Sequence, residues 1–431
     1  MTHPADAAPE NPGRNHPAPP RNSAHRNHPT QARNSAELRA GPSRVVLIVT
    51  VLVVAANLRP TITAFGSVVS LIGADTGLGP GALGLLGAIP LLAFAAVSPL
   101  VHFLTGAIGA ERAVLVSTLV LIVGTLVRSL PGSIANLWLG TILLGAAIAV
   151  GNVVVPAVVK HDFPTEVPLV TGLYSAVLGG AAGVASGLAL PVSHIGGWRL
   201  GIGIWGVLSV IAAGVWLLRS HGRHGGGSYT AGAEGGARGR TLWRSAVAWQ
   251  VSLVMATQAL TFYLLVTWLP TIEISFGVDP VTAGWYSFIY QTVGIVAGLG
   301  VTVFMRGRAD HRAVGVGISV LLIVAMIGLL IVPGWSVLWL VLAGLSGGSS
   351  LVLALALMGE RSRTAVDAGR LSGMAQSVGY LIAAAGPWGA GVLFAATRSW
   401  SYPLLAVIAV TAIQGVLSLY AGRDRFTRPA G

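Results

Sequence analysis

Residues 312–360 read RAVGVGISVLLIVAMIGLLIVPGWSVLWLVLAGLSGGSSLVLALALMGE, with a charge only at each end. Pro333-Gly334 divides the stretch into two pieces, each near the ~20 apolar residues that span a hydrocarbon core as a helix. The strand of a membrane barrel alternates polar and apolar residues over about ten positions. The run Leu353-Ala-Leu-Ala-Leu-Met358 does not alternate. The stretch therefore predicts two membrane-spanning helices.

The same pattern extends in both directions. Uncharged runs separate Arg44 from Arg59, Asp75 from Glu111, Arg112 from Arg128, Arg128 from Lys160, Glu166 from Arg199, and Arg199 from Arg219. Beyond them lie Arg244 to Glu273, Asp279 to Arg306, Arg370 to Arg398 and Arg398 to Arg423. With the first span continuing through Arg59, the chain of 431 residues reads as twelve transmembrane helices. Composition agrees, since 54% of residues are hydrophobic and 9% charged. Soluble domains carry about 25% charged residues, so a soluble enzyme is disfavoured. The absence of cysteine removes thiolate metal sites, disulfides and cysteine nucleophiles.

Basic residues set the orientation. With the N-terminus in the cytoplasm, 22 of the 26 lysines and arginines fall on that side, Arg128, Arg199 and Arg398 fall outside, and Arg59 is buried. So strong a positive-inside bias places both termini in the cytoplasm of a cell (inner or plasma) membrane. Residues 1–43, rich in Pro, Asn, His and Arg, read as a disordered cytoplasmic tail, and no signal peptide is present. Its histidines His3, His16, His25 and His28 fit no metal-ligand spacing. No metal, cofactor or nucleic-acid partner is expected. Residues 220–243 form a Gly-rich linker between two six-helix bundles, 44–219 and 244–422, and 423–431 form a second cytoplasmic tail.

The bundles resemble each other. Leu58-Arg-Pro-Thr-Ile-Thr63 answers Trp268-Leu-Pro-Thr-Ile-Glu273, and Gly77-Leu-Gly-Pro-Gly-Ala-Leu-Gly84 answers Gly277-Val-Asp-Pro-Val-Thr-Ala-Gly284. Thr171-Gly172 likewise answers Ser372-Gly373. A parallel repeat of six spans is the layout of major facilitator transporters, whose substrate sits near the midplane between the halves.

Arg59 is the sharpest single feature. It lies 15 residues beyond Arg44, about 22 Å along a helix. An arginine deep in a membrane helix costs at least ~2.5–3.5 kcal/mol, so it does not face lipid. Its planar fork of donors suits a carboxylate, a nitro group or a small linear anion. It is either a substrate clamp or a structural arginine, held by backbone carbonyls or snorkelling to the outer surface. Pro60 and Pro270 bend the first and seventh spans, and Pro156 interrupts the fourth. Such kinks either free carbonyls for a ligand and a gate or serve packing alone.

Uncharged polar residues within apolar runs are candidate substrate contacts: Asn57, Asn152, Gln258, Tyr263, Tyr290, Gln291, Gln376 and Tyr380. Each can instead bond a neighbouring helix. Trp268 suits stacking on a planar substrate, closing the outer gate or an interfacial position. Glu273 is the one carboxylate suited to proton coupling, which nothing else in the sequence indicates.

At these residues the chain resembles the cyanate and nitroimidazole permeases of the major facilitator superfamily. The resemblance rests on Asn57-Leu-Arg-Pro60, Gly151-Asn-Val-Val-Val-Pro156 with Lys160-His-Asp-Phe-Pro164, Gly197-Trp-Arg199, Ala248-Trp-Gln250, Tyr263 with Trp268-Leu-Pro270, Gly359-Glu-Arg361, and Leu371-Ser-Gly-Met-Ala-Gln-Ser-Val-Gly-Tyr380 before Gly386-Pro387. It implies transport of small planar or anionic solutes by a rocker-switch, with Arg59 as anion partner. His161 departs from the arginine expected after Lys160, and the loop between spans two and three keeps only Glu111 and Arg112 of its usual charges. The chain is therefore expected to be a monomeric secondary transporter contacting a small-molecule substrate and membrane lipid. A multidrug or metabolite exporter of the same fold, or a non-transporting receptor, are the alternatives. No His-Glu-x-x-His helix, paired intramembrane aspartates or Ser/His dyad supports an enzyme, so no catalytic residue is assigned.

Overall fold

The computed structural model describes residues 44–221 and 242–427. The expected tail at 1–43, linker residues 222–241 and the final residues 428–431 lie outside the described residues. Among the described residues all regular structure is helical.

Eleven continuous helical runs are long and apolar enough to cross a membrane. One of them, Leu169–Arg219, is 51 residues long. A straight helix of that length would reach about 76 Å, far beyond a ~30 Å hydrocarbon core. The chain turns at Gly196 (φ −144°, ψ 27°) and Gly197 (φ 73°, ψ 171°), which divides the run in two. The spans are therefore twelve: α1 Arg44–Thr76, α2 Pro80–Ile108, α3 Ala110–Ser129, α4 Ile134–Asp162, α5 (169–195) and α6 (198–219). They continue as α7 Ala246–Ser275, α8 Pro280–Met305, α9 Arg312–Ile331, α10 Pro333–Glu360, α11 Val366–Thr397 and α12 Ser401–Ala421. The Gly197 backbone is one that only glycine adopts without strain. Gly197→Ala should lower unfolding free energy in detergent by about 1–3 kcal/mol, measured by equilibrium denaturation.

Leu126, Val210, Val303, Phe304 and Leu405 lie exposed on the described helices. An apolar periphery of this kind is what a lipid environment requires. Packing between the two sets of six helices follows a pseudo-twofold pattern. α1 packs on α7, α2 on α11, and α5 on α8. The last two pairs exchange under a shift of six helices, as a parallel repeat demands.

The repeat is visible in atomic detail at positions 200 or 201 residues apart. A Cβ on Gly84 would collide with the carbonyl of Pro387, and one on Gly284 would crowd the carbonyl of Ser186 at 3.1 Å. Gly77 and Gly277 both take positive φ (71° and 89°) at the turns before α2 and α8. On the axis itself, a Cβ on Gly66 would strike the carbonyl of Val266, its own counterpart. The match of Pro60 with Pro270 is ten residues out of this register. The two prolines also differ in effect: α1 leaves regular helix at Leu58-Arg59 before Pro60, whereas α7 runs as one helix through Pro270. Pro156 likewise lies inside a continuous α4.

These close approaches all lie toward the end of the bundle away from Arg44 and Ala421, here the distal end. At the proximal end the described ion pairs tie each half within itself. Arg219 meets Glu111 at 2.7 Å and Asp162 at 2.6 Å, and His311 meets Glu360 at 2.6 Å. Buried Arg361 donates to the carbonyls of Ala309 (2.8 Å) and Ala421 (3.1 Å). Gly172 of α5 and Gly373 of α11, a repeat-related pair, each face open space at this end. The two halves are thus pressed together distally, while these proximal positions are unobstructed.

Candidate functional site

The break in α1 builds the site. Asn57 ends one helical segment and Pro60 begins the next, so Arg59 sits at a joint. It is 15 residues from one end of α1 and 17 from the other. The carbonyl of Arg59 accepts from the amides of Ile62 (3.0 Å) and Thr63 (3.1 Å), which restarts the helix. The side chain projects to the other half, where Nη1 donates to the Tyr263 hydroxyl of α7 at 2.6 Å. The guanidinium carbon lies 5.7 Å from the Tyr263 ring centroid. Nε is buried without a partner. Among the described residues no carboxylate pairs with Arg59.

Aromatic rings continue from this contact. Tyr263 and Tyr380 of α11 have centroids 6.4 Å apart, and Tyr380 meets Phe94 of α2 edge-on at 5.3 Å. Phe262 bridges Tyr263 (5.2 Å) and Tyr290 of α8 (6.1 Å). The phenols of Tyr380 and Tyr174 also lie within electrostatic reach of Arg59. An unpaired cation beside aromatic faces and hydroxyls suits a flat, electron-rich ligand with an anionic or strongly polar oxygen. Phe94 and Tyr174 escaped the sequence reading. Phe94 carries no polar group, and Tyr174 lies one turn from the proximal end of α5.

The remaining candidates fall into different roles. Gln291 donates to Ser186 Oγ at 2.8 Å and joins α8 to α5 across the halves. Within the first half, α5 is tied to α1 beside this contact: Ser67 donates to the Ser186 carbonyl at 2.7 Å, and Thr63 to that of Ala182 at 2.9 Å. Asn57 turns inside the first half, its Oδ1 accepting from Ser209 of α6 at 2.7 Å. Gln376 bonds Ser372 of its own helix at 2.8 Å. Gln258 is buried on α7 with Oε1 unpartnered, and Asn152 is half-buried on α4. Trp268 is not in the central cluster. Its Nε1 donates to the Pro387 carbonyl at 2.8 Å and its ring packs 5.0 Å from Trp400, within the closed distal end. Glu273 is fully buried there, its Oε2 accepting from Ser336 at 2.7 Å and its Oε1 unpartnered.

The all-helical, twelve-span fold agrees with comparison to known proteins. Residues 51–387 match the Major Facilitator Superfamily. The chain belongs to this superfamily. It is 34% identical over 390 residues to the 2-nitroimidazole transporter of Escherichia coli (strain K12), covering 90% of this chain and 98% of that one. It is 26% identical to the cyanate transport protein CynX of the same organism, covering 85% and 96%. In three dimensions it resembles a bacterial homolog of the human lysosomal transporter Spinster, solved inward-facing and unoccupied. The TM-score is 0.74 at 16% identity, over 90% of this chain and 99% of that chain. The superfamily chain is thus a multi-pass membrane protein of the cyanate and nitroimidazole transporter type.

Proposed function

We propose that this protein is a secondary active transporter for a small planar or anionic solute, of the cyanate, nitroheteroaromatic or small carboxylate class. Solute binds between the halves at Arg59, and the halves rock around it. The observation that carries the reading is the Arg59–Tyr263 contact, a half-buried cation whose one side-chain hydrogen-bond partner among the described residues is a phenol of the opposite half. A buried arginine without an anion is costly, and a solute carboxylate or nitro group supplies the missing acceptor. The names of the related transporters support the solute class.

The phenol has a second consequence. A solute that takes both faces of the guanidinium fork must displace Tyr263, so binding exchanges a strut between the halves for a ligand bridge. That exchange couples occupancy to rocking, because the solute interacts differently with the two arrangements. With the termini cytoplasmic, as the positive-inside bias supports, the proximal end, where Gly172 and Gly373 are unobstructed, faces the cytoplasm. The outer gate is then the distal seam of Gly66, Gly84, Gln291 and Trp268, and the kink residues Pro60, Pro156 and Pro270 shape the moving helices. The protein works as a monomer, each chain carrying its own site, with lipid around it.

Tyr263→Phe tests the strut. Losing a charge-assisted hydrogen bond that solute must break should tighten solute binding by roughly tenfold, the low end of what such a bond is worth. It should also slow turnover, since the empty carrier loses its lock. Equilibrium dialysis of the purified variant with labelled 2-nitroimidazole and benzoate measures the first effect, and flux the second. Unchanged affinity and flux for a solute that the wild type carries would remove Tyr263 from the mechanism.

A further inference from the structure

A second cationic site lies at the distal end, inside the first half alone. A cavity of about 210 Å³ opens there, lined by residues of α1, α3, α4 and α6. Arg128, in the last turn of α3, forms part of its wall and is only 4% exposed. The sequence counts this arginine among the charges of the outer side and gives it no partner. Instead Nη1 donates to the Thr61 carbonyl at 2.8 Å, with the guanidinium carbon 4.9 Å from the Phe65 ring centroid. Nε is buried with no partner.

Two further positive elements converge on the same space. Arg199 lines it and carries a buried, unpartnered Nε of its own. Gly132, Ser133 and Ile134 also line it, so the N-terminus of the 29-residue α4 opens onto the cavity. A helix N-terminus favours an anion through its free amides and its dipole. Asp75 is the one carboxylate in the lining. It is already occupied by Arg199 Nη1 and Trp198 Nε1, both at 2.9 Å. That leaves Arg128 without a carboxylate among the described residues; at the helix end Ser133 Oγ accepts from the Ala135 amide at 3.2 Å, and the dipole of α4 still favours an anion there.

We infer that this cavity binds a small oxyanion, a carboxylate or phosphate group, between Arg128, Arg199 and the N-terminus of α4. The site is separate from Arg59 and independent of the proposed solute. Because all its elements belong to one half, it moves as a body and persists in every transport state. Through the Thr61 carbonyl, two residues past Arg59, the bound anion also steadies the joint in α1. The anionic oxygen comes either from a free solute or from a phospholipid headgroup of the distal leaflet.

The test uses the full chain purified in a phosphate-free maltoside detergent. Titration with inorganic phosphate and with benzoate should raise the melting temperature, because a ligand of the folded state stabilises it. The shift should survive in Arg59→Ala. In that Arg59→Ala background, where the α1 site no longer takes an anion, it should vanish on adding Ser133→Asp, which keeps a good helix cap but puts a carboxylate in the cavity, or Arg128→Gln. Native mass spectrometry after extraction from phosphatidylglycerol nanodiscs separates the sources. A phospholipid retained by wild type and lost from Ser133→Asp assigns the oxygen to a headgroup. A shift with phosphate or benzoate in lipid-free protein, without a retained lipid, assigns it to a free solute. No shift and no retained lipid, or effects in Arg59→Ala that are equal with and without Ser133→Asp, would overturn the site.

Discussion

Arg59→Ala should lower solute flux into proteoliposomes by roughly 10²–10⁴-fold while the protein still inserts and folds. Charge-assisted hydrogen bonds are worth about 1.5–3 kcal/mol each, and a bidentate clamp makes two. Insertion should not suffer, because removing a charge from mid-membrane relieves a cost of at least ~2.5–3.5 kcal/mol. Arg59→Lys keeps the charge but not the planar fork, so flux should fall by about tenfold or more. The measurement is initial-rate uptake of labelled 2-nitroimidazole, cyanate and benzoate, normalised to reconstituted protein. Wild-type flux in both variants, for a solute that the wild type carries, would make Arg59 a structural residue.

Gly66→Ala should open the distal end. A methyl group there strikes the carbonyl of Val266 across the pseudo-twofold axis, and backbone cannot step aside as a side chain can. Forcing extra volume into a packed seam costs about 1–3 kcal/mol. When the two arrangements are close in energy, that is roughly a 5- to 150-fold shift in their ratio. The chain has no cysteine, so introduced thiols are the sole labelling sites. Spin labels at Ala74→Cys of α1 and Ala396→Cys of α11 lie on exposed positions of opposite halves near the distal end. Their distance distribution should move to longer values in Gly66→Ala. An unchanged distribution would mean that this seam is not the gate.

The fold was legible because membrane insertion writes its constraints along the chain. Apolar length, interrupted by charge, marks each span, and the repeat appears as glycines 200 residues apart that meet equivalent carbonyls. The turn at Gly196-Gly197 was legible too, as the charge at Arg199 within an otherwise apolar stretch. The site was legible in part. A buried arginine stands out in an apolar helix, but its partner does not, because Tyr263 could have faced any of several neighbours. Burial of Arg128 was hidden for the same reason. An arginine at a span end looks like an interfacial residue until the fold brings Thr61 and the end of α4 beside it. Trp268 shows how the fold decides between open readings: of stacking on a planar ligand, closing the outer gate or anchoring at the interface, its bond to the Pro387 carbonyl favours the gate.

The central claim, that position 59 is a cation in the solute path between the halves, is tested most directly by Arg59→Cys in this cysteine-free chain. The thiol should react with a membrane-impermeant methanethiosulfonate from the side that carries the termini, and not from the other. Attachment of an aminoethyl group, which restores a cation, should recover part of the flux, while a neutral methyl group should not. A thiol that reacts from neither side, or flux recovered equally by the neutral group, would contradict the account.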